Sequence, residues 1–221
     1  MTDSGDPSGR SGRGEWPVRL GPLRVAAGEV ALRPPRLWDA HEWSRIRLRD
    51  QEYLEPWEPS GPADWAERNT PTAWVMQWSA LRSLGRRGLA LPFAITVNGR
   101  FAGQLTVGNV VRGALRSAWV GYWVDSRVTR GGVATAAVAL AADHCFRTVG
   151  LHRLEATVRP ENTASLRVLH KLGFREEGLF QRYLNVAGAW RDHLCYAITA
   201  EETGTGLVDR LVRAGRAQPA S

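Results

Sequence analysis

The sequence has few cysteines, a single lysine and no long apolar run. Its two cysteines, Cys145 and Cys195, lie far apart, which excludes a disulfide framework and the spacing of a metal site. The longest apolar runs, such as 133–142, stop well short of the roughly 20 residues that a membrane-spanning helix needs. Residues 1–20 contain no apolar segment of the kind that a secretory signal requires. We therefore expect a protein of the reducing cytoplasm that binds neither a metal nor a membrane.

The 221 residues have the composition of an ordinary globular domain, with 43% hydrophobic and 23% charged residues. These proportions exclude collagen-like, coiled-coil and wholly disordered chains. The net charge is +7, and every basic residue except Lys171 is an arginine. A positive body attracts anions over long range, so nucleic acid, an acidic protein surface and a polyphosphate cofactor are all compatible partners. Charge alone does not choose between them.

The chain divides into a tail, one domain and an extension. Residues 1–20 are rich in Ser, Gly and Arg and have too few apolar residues to offset the entropy of ordering, so we expect a mobile tail. Residues 29–200 alternate strand and helix patterns and predict a single domain. Residues 201–221 predict a short helix followed by a second tail.

The apolar patterns predict about seven strands flanked by four helices, a mixed α/β domain. Alternating and β-branched residues predict strands, whereas apolar residues that recur every three to four positions predict helices. The predicted strands cover residues 29–33, 91–97, 101–107, 118–124, 153–158, 183–185 and 190–199. The predicted helices cover residues 37–46, 70–85, 133–147 and 163–172. Asn98 and Gly99 predict a hairpin, and the strand-helix-strand order of the second half predicts parallel pairing there.

Gly131 and Gly132 lie in a turn that leads from a predicted strand directly into a helix. The first backbone N–H groups of a helix have no intrahelical partner, and the peptide dipoles add partial positive charge there. Because glycines also let an anion approach the backbone closely, this turn predicts a phosphate site. A plain connection between strand and helix is the alternative, since a short glycine motif is a weak signal on its own.

The same stretch resembles the acetyl-CoA-binding motif of the GCN5-related N-acetyltransferase (GNAT) superfamily. The superfamily pattern is Gln or Arg, two residues, Gly, one residue, then Gly or Ala. It falls here on Thr129, Gly132 and Ala134, and Thr129 departs from it. The resemblance implies that Val124 pairs with the pantetheine arm of acetyl-CoA and that the backbone of the turn holds the diphosphate. The residues it implies for this turn are Thr129, Arg130, Gly131, Gly132, Val133, Ala134 and Thr135.

A second segment, residues 151–174, resembles the later half of the same signature in its ribosomal-protein N-acetyltransferase form, the RimJ/RimL type. By chemistry alone, Asn162 is a good N-cap and Gly173 a good helix terminator, but these roles do not explain the order and spacing of the two halves. The resemblance covers residues 29–200 and adds Asn162 and Ser165 to the implied cofactor site. It implies that the acceptor amine attacks the thioester directly within a ternary complex.

Glu155 and Ser165 are the candidate catalytic residues. Strand alternation places Glu155 on one face with Arg153 and Thr157, where a carboxylate can reach a central cleft and take the proton of the amine. A structural ion pair with Arg153 is the alternative for Glu155. Ser165 matches a serine that RimL-type relatives place near the CoA sulfur, which implies a donor to the thiolate, and a plain helix-start serine is its alternative. Tyr183 is a weaker donor candidate, with packing in the closing hairpin as its alternative.

Trp57, Tyr122 and Trp123 are the candidate acceptor-binding residues, as walls of a narrow slot beside the thioester. For this type, the resemblance implies protein N-terminal α-amines as acceptors, among them those of ribosomal proteins. Their pKa of about 7.7 to 8.0 leaves a neutral fraction at pH 7, unlike lysine at about 10.4. Three acidic residues after the first predicted helix can bind an ammonium group: Glu55, Glu58 and Asp64. The alternative is that they are solvated charges of a loop.

Two other functions stay open. The same chemistry serves a small amine such as an antibiotic or a polyamine. A basic nucleic-acid-binding or regulatory module with a vestigial CoA site is the third interpretation. Against it, the sequence has no RNP-like or helix-turn-helix pattern, and its arginines are dispersed rather than aligned along one face.

Overall fold

One nine-stranded sheet organises the part of the chain that the computed structural model describes, residues 15–220. Its strands are, in chain order, β1 (Leu20–Val25), β2 (Gly28–Arg33), β3 (Leu91–Val97), β4 (Arg100–Val111), β5 (Ser117–Val124), β6 (Arg153–Val158), β7 (Arg175–Val186), β8 (Ala189–Thr199) and β9 (Gln218–Pro219). They lie in the order β7-β8-β6-β5-β4-β3-β2-β1-β9. Neighbouring strands are antiparallel except β5 and β6, which are parallel.

Helices cover both faces of this sheet. They are α1 (Ala40–Arg49), α2 (Gln51–Leu54), α3 (Trp65–Arg68), α4 (Pro71–Arg86), α5 (Val133–His144), α6 (Thr163–Leu172) and α7 (Leu207–Arg213). The larger core cluster holds apolar side chains of α5, α6 and α7, and a smaller cluster on the other face holds those of α1 and α4. α5 is buried almost all round because its many alanines let it lie between the sheet and the neighbouring helices.

The fold class predicted from the sequence is confirmed, but the sheet has nine strands rather than about seven. The two additional strands are β1, which contains Gly21 and Pro22, and the two-residue β9, and neither shows an alternating pattern. β7 extends far beyond the predicted residues 183–185, because it is an edge strand with mostly exposed side chains. α5 ends at His144, and a π-helical turn over Cys145–Val149 replaces the predicted last helical turn.

The folded region also extends on both sides of residues 29–200. β1 precedes this range and pairs with both β2 and β9, and the Trp16 Nε1 donates to the Pro92 carbonyl oxygen at 2.9 Å. Residues 1–14 of the predicted tail lie outside the described residues. Between residues 15 and 220, no helix combines the length and apolar character that crossing a membrane demands. The same stretch has no group of three or more His, Cys, Asp or Glu side chains placed to hold a metal ion.

Candidate active site

A long cleft opens where β5 and β6 separate. The two strands pair over only three residues each, ending at Trp119 and Glu155. Beyond this point, residues 120–124 and 156–158 line a cavity of about 1470 Å3. Pockets for drug-sized ligands measure roughly 300 to 1,000 Å3, so this cavity has room for a large cofactor beside a second substrate. The separated strand edges also offer backbone N–H and C=O groups to a ligand.

The N-terminus of α5 forms one part of the cavity wall. Gly132 is its N-cap, with a φ of 85° and no side chain to cap the helix. The first hydrogen bond of the helix runs from the Ala136 N–H to the Gly132 carbonyl at 2.9 Å, so the N–H groups of Val133, Ala134 and Thr135 precede the ladder. All three residues line the cavity. Together with the helix dipole, these N–H groups have the chemistry to receive an anion, so the predicted phosphate site stays a prediction at this position.

Neighbouring residues of this turn have roles that the sequence does not show. Gly131 is absent from the cavity wall; its carbonyl accepts the Ala27 N–H at 3.1 Å, and a Cβ would lie 2.5 Å from the Ala27 Cβ. The reason for glycine at position 131 is therefore its packing against Ala27, and not the approach of an anion to the backbone. The Thr129 hydroxyl donates to the Ser126 carbonyl at 2.8 Å while Thr129 lines the cavity. Arg130 is exposed, lines the cavity and has a φ of 61°.

Hydrogen bonds connect the turn before α5 to the C-terminal end of α1. The Asp50 carboxylate accepts the Ser126 N–H at 2.9 Å and the Ser126 hydroxyl at 2.8 Å. The Arg49 guanidinium donates to both Asp50 and Asp125. Burial raises the pKa of Asp50, but the hydrogen bonds from Arg49 and Ser126 outweigh it and hold that pKa below its ordinary value. Asp50 is therefore charged at neutral pH and keeps the turn in place.

Two hydroxyl groups meet between β5 and α6, where both residues line the cavity. The Tyr122 hydroxyl and the Ser165 Oγ are 2.9 Å apart. Asn162 caps α6 as predicted, because its Oδ1 accepts the Ser165 N–H at 3.0 Å. Burial raises the pKa of Tyr122 to about 12, although the hydrogen bond with Ser165 lowers it. The phenol thus stays protonated at neutral pH, and the pair can donate a hydrogen bond to an anion formed in the cavity.

Tyr122 and Trp123 do not wall the same slot, because successive side chains of a strand point to opposite faces. Tyr122 packs against the core under α5, whereas Trp123 packs against the cluster under α1 and α4. Val124 ends β5 beside them, is buried and lines the cavity. Trp57 also lines the cavity, and the Arg159 guanidinium carbon lies 5.5 Å from the centroid of its ring.

Arg47 is the centre of the cavity wall on the α1 side. Its guanidinium carbon lies 5.2 Å from the ring centroids of Trp43 and Trp123 and 4.8 Å from that of Trp65, within the range of cation–π attraction. The same guanidinium forms a two-pronged ion pair with Glu58, with Nη1 to Oε1 at 2.7 Å. This surface is therefore aromatic and close to neutral. It is named the acceptor-side wall after Trp123, one of the predicted acceptor-binding residues.

The three acidic residues predicted to bind an ammonium group each have a partner within the protein. Glu58 is held in the ion pair just described. Asp64 caps the N-terminus of α3, and Glu55 accepts a hydrogen bond from Gln51 at 2.8 Å. Neither Asp64 nor Glu55 lines the cavity.

The cavity wall as a whole carries more positive than negative charge. Its basic residues are Arg47, Arg68, Arg130, Arg159, Arg167 and Lys171. Its acidic residues are Glu52, Glu58 and Glu161. Six positive charges against three negative charges leave an excess of three, which attracts a polyphosphate and opposes a polycation.

Glu155 does not line the cavity, contrary to the expectation for a base. Its Oε1 accepts from the Arg153 Nε at 2.6 Å, and Arg153 also pairs with Glu177. The structure therefore shows the alternative, an ion pair, since Arg153 already holds the carboxylate outside the cleft. Tyr183 likewise lies outside the wall, with its ring centroid 5.7 Å from that of His193.

His193 is the histidine that, within residues 15–220, lines the cavity, and it is 3% exposed. Its Nδ1 lies 3.1 Å from the Arg191 carbonyl oxygen. Because a carbonyl oxygen only accepts, Nδ1 carries a hydrogen in this contact, and Nε2 is the ring nitrogen that is left to exchange a proton. A buried imidazole of this kind can accept a proton. Residues 190–193 lie within the stretch that resembles the RimJ/RimL type, but that resemblance assigns His193 no role.

A family model described as an acetyltransferase (GNAT) domain matches residues 29–175. The chain belongs to the GNAT acetyltransferase family. This finding confirms the predicted superfamily and the prediction that the protein is an N-acetyltransferase.

Two acetyltransferases resemble this chain over most of its length, and a third resembles less than half of it. The solved structure of Mycobacterium smegmatis RimJ in complex with CoA-disulfide is 60% identical, has a TM-score of 0.92, and the match covers 93% of this chain and 99% of that one. The [ribosomal protein uS5]-alanine N-acetyltransferase of Escherichia coli (strain K12) is 26% identical over 186 residues, 83% of this chain and 94% of the relative. The "Probable N-acetyltransferase YjcK" of Bacillus subtilis (strain 168) is 40% identical over 99 residues, 45% of this chain and about half, 55%, of that relative.

The cavity of this GNAT acetyltransferase fits the chemistry of coenzyme A. A diphosphate suits the free N–H groups at the start of α5 and the positive wall. An arm rich in amides suits the separated edge of β5, which can pair with it as a strand would. For a thiol or thioester in this cavity, the hydroxyl groups of Tyr122 and Ser165 would supply hydrogen-bond donors.

Proposed function

We propose that this GNAT acetyltransferase transfers the acetyl group of acetyl-CoA to the N-terminal α-amine of a protein, with ribosomal proteins as the acceptor class. One observation carries the proposal: a single cavity joins the anion site at α5 to the aromatic, nearly neutral acceptor-side wall around Arg47. The likeness to RimJ and to the uS5-alanine enzyme supports the same acceptor class. We place the reaction in the cytoplasm, as the cysteine content predicts.

The cofactor binds chiefly to the backbone. The N–H groups of residues 133–135 receive the diphosphate, and the helix dipole adds to their attraction. Arg130 is exposed beside them and adds a charge-assisted contact. The free edge of β5 up to Val124 pairs with the amides of the pantetheine arm.

The transfer requires no acyl-enzyme. The nitrogen of the neutral amine attacks the thioester carbon, a C–N bond forms, the C–S bond breaks, and sulfur leaves as a thiolate. The Ser165 hydroxyl, held by Tyr122, donates a hydrogen bond to that sulfur as its charge develops. The nitrogen gives up one proton, which His193 accepts at Nε2. His193 then releases that proton to water and the thiolate takes one proton from water, so protons and charges balance. Most of the acceleration comes from holding both reactants in attack geometry.

The charge of the cavity favours a peptide over a small polycation. A polyamine or an antibiotic with several amines would find the Glu58 carboxylate of the acceptor-side wall already paired with Arg47. An α-amine, with its pKa of about 7.7 to 8.0, is partly neutral at pH 7 and does not depend on a ring of carboxylates. The aromatic acceptor-side wall offers contact area without adding charge.

Mass spectrometry after incubation with acetyl-CoA tests the proposal. The acceptors are a peptide with an N-terminal alanine and one internal lysine, the same peptide with a blocked N-terminus, and spermidine. We expect acetyl on the α-amine of the first peptide and none on the blocked peptide or on spermidine. Modification of spermidine or lysine at an equal or higher kcat/KM would instead establish the small-amine or lysine function.

Thermal unfolding separates the enzyme from a nucleic-acid-binding module. A ligand that binds only the folded state raises Tm. We expect acetyl-CoA to raise Tm and neither duplex DNA nor RNA to do so. Stabilisation by nucleic acid alone would contradict the proposed function.

A further inference from the structure

Several buried polar atoms of the cavity wall lack a hydrogen-bond partner among the described residues. The acceptor among them is the Gln104 Oε1, and the donors are the Trp43 Nε1 and the Nε atoms of Arg68 and Arg159. Of these residues, Gln104 and Trp43 both contact the same part of the acceptor-side wall. Gln104 is 6% exposed, Trp43 is 2% exposed, and both line the cavity. Buried polar atoms are nearly always paired, because an unpaired one loses its contact with water and gains nothing in return. An unpaired donor and an unpaired acceptor in one cavity therefore point to a ligand that supplies both partners.

The two residues belong to the same part of the wall. Gln104 lies on β4 directly opposite Trp123 on β5, so their side chains share one face of the sheet. Trp43 of α1 and Trp123 both lie 5.2 Å from the Arg47 guanidinium carbon. Gln104 and Trp43 thus each neighbour one part of the Arg47 and Trp123 stack, on the side of the sheet away from α5.

We propose that Gln104 and Trp43 form a subsite for the peptide backbone of the acceptor. The Gln104 Oε1 accepts the amide N–H between the first and second acceptor residues, and the Trp43 Nε1 donates to the carbonyl oxygen of the first residue. This subsite rests on the proposed function, because it assigns the groups that recognise a peptide at that same site. It explains how the enzyme distinguishes a protein N-terminus from a simple amine.

The residues around Gln104 and Trp43 favour an amide over an ammonium or a carboxylate as the ligand of these two side chains. Glu58 neutralises Arg47, so the subsite offers no net charge to an ammonium or a carboxylate. Trp123 and the ring of Trp43 provide flat apolar surfaces, which suit the planar amide and the side chains beside it. A peptide unit carries one donor and one acceptor, the complement of the two unpaired atoms.

The test combines protein variants with chemically matched acceptors. Gln104→Met removes the acceptor oxygen and nearly keeps the length and volume of the side chain. The acceptors are a peptide with an N-terminal alanine, its analogue methylated on the nitrogen of the second residue, and propan-2-amine. Gln77→Met is the matched control, because Gln77 lines the same cavity from α4 but is exposed.

We expect Gln104→Met to lower kcat/KM for the peptide about tenfold, the effect of one lost hydrogen bond in a buried site. It should leave kcat/KM for the methylated analogue and for propan-2-amine unchanged, since neither supplies the amide N–H. The KM for acetyl-CoA and the kinetics of Gln77→Met should also stay unchanged. Trp43→Phe should lower kcat/KM for the peptide and for its methylated analogue, both of which keep the first carbonyl, but not for propan-2-amine.

Stability separates recognition from a structural role. Replacing an unpaired buried acceptor by an apolar group of similar shape leaves stability the same or raises it. Gln104→Met should therefore have a Tm equal to or above that of the wild type. A clear fall in Tm would show that a buried water satisfies Gln104 in the free protein, and would overturn the proposal.

The remaining outcomes each decide one question. Equal losses of kcat/KM for the peptide and its methylated analogue, or no loss for the peptide, would overturn the subsite and leave the proposed function intact. If the wild-type enzyme acetylates propan-2-amine as well as the peptide, the subsite is wrong as well. If it acetylates neither peptide, the proposed function itself fails, and the subsite fails with it.

Discussion

The two sides of the cleft are built in different ways. The cofactor side consists of short consecutive segments, residues 129–135 and 162–165, and offers mainly backbone N–H groups and small hydroxyl groups. The acceptor side is assembled from long side chains of distant segments, with Trp43 on α1, Gln104 on β4 and Trp123 on β5. The first depends on the conformation of the chain, the second on the identity of each side chain.

This difference determines what each side tolerates. The N–H groups of the turn survive a change of side chain, so threonine at position 129 leaves the anion site in place. The acceptor-side wall is different, because a single substitution at Gln104 changes the polarity of the wall directly. We expect relatives with the same cofactor side to differ chiefly in their acceptors.

The largest effect that we predict is on the catalytic step of the cofactor side. Ser165→Ala should lower kcat about a hundredfold, as the loss of one donor to a developing anion does in other enzymes. The dissociation constant for acetyl-CoA should stay within about twofold, because the Asn162 cap uses the backbone N–H of residue 165 and not its hydroxyl. The kcat of Tyr122→Phe should lie between those of Ser165→Ala and the wild type, because Ser165 keeps its hydroxyl group in this variant. Stopped-flow turnover and equilibrium binding measure the two quantities, and a variant with normal kcat would remove Ser165 from the mechanism.

The next prediction concerns the backbone of the anion site. Gly132 has a φ of 85°, and a Cβ there would lie 3.2 Å from the Val25 Cβ. Gly132→Ala should therefore shift the N-cap of α5 and raise the dissociation constant for acetyl-CoA about tenfold. Gly150→Ala is the matched control: Gly150 also has a left-handed φ, 75°, but nothing lies within 4 Å of an added Cβ.

Both alanine variants should lose about 1 kcal/mol of unfolding free energy from backbone strain alone. Isothermal titration and chemical denaturation separate affinity from stability. Equal affinities of Gly132→Ala and Gly150→Ala for acetyl-CoA would show that the turn does not hold the cofactor.

The cofactor side is also the side that the sequence predicts well. β6 and α6 have the predicted bounds, Arg153–Val158 and Thr163–Leu172, because alternation, an Asn cap and a Gly terminator are local signals. Gly132 is likewise identified by a short motif whose chemistry depends on backbone geometry. Gly131 belongs to the same motif, but a side chain is excluded there by the contact with Ala27. No local sequence pattern shows this contact.

The acceptor side could not be predicted in the same way. Its side chains meet only through the sheet register and the packing of α1, which the sequence does not encode as spacing. Arg47 and Gln104 look like ordinary surface residues of a helix and a strand, although each is 6% exposed. The sequence predicts one slot for Tyr122 and Trp123, whereas strand alternation places their side chains on opposite faces of the sheet.

A third prediction tests the contact between the two sides of the cleft, where Asp50 at the end of α1 binds the turn before α5. Asp50→Asn removes the charge that joins α1 to the turn before α5, so it should lower the unfolding free energy by about 1 to 2 kcal/mol at pH 7. It should also weaken acetyl-CoA binding by about threefold, because Ser126 loses its charged acceptor.

The pH dependence follows from the lowered pKa of Asp50, which its hydrogen bonds from Arg49 and Ser126 hold down against the effect of burial. A carboxyl whose pKa is lower in the folded state stabilises that state fully above its unfolded pKa, and this contribution is lost as pH falls through the folded pKa. The stability difference between wild type and Asp50→Asn should therefore be constant at neutral pH and shrink in strong acid. A difference that grows as pH falls would contradict the ion-pair account.

The smallest effect separates the two candidates for the proton acceptor. Glu155 lies outside the cavity, 37% exposed and paired with Arg153, whereas His193 is buried in the cavity wall with its Nδ1 held by the Arg191 carbonyl. Glu155→Gln should change kcat by less than about twofold and the unfolding free energy by less than about 1 kcal/mol, because an exposed ion pair contributes little. His193→Gln should lower kcat by at least about tenfold while the KM for acetyl-CoA stays unchanged. If Glu155→Gln proves to be the slower enzyme, the carboxylate must leave Arg153 and enter the cleft when both substrates bind, and the sequence-based assignment of the base is restored.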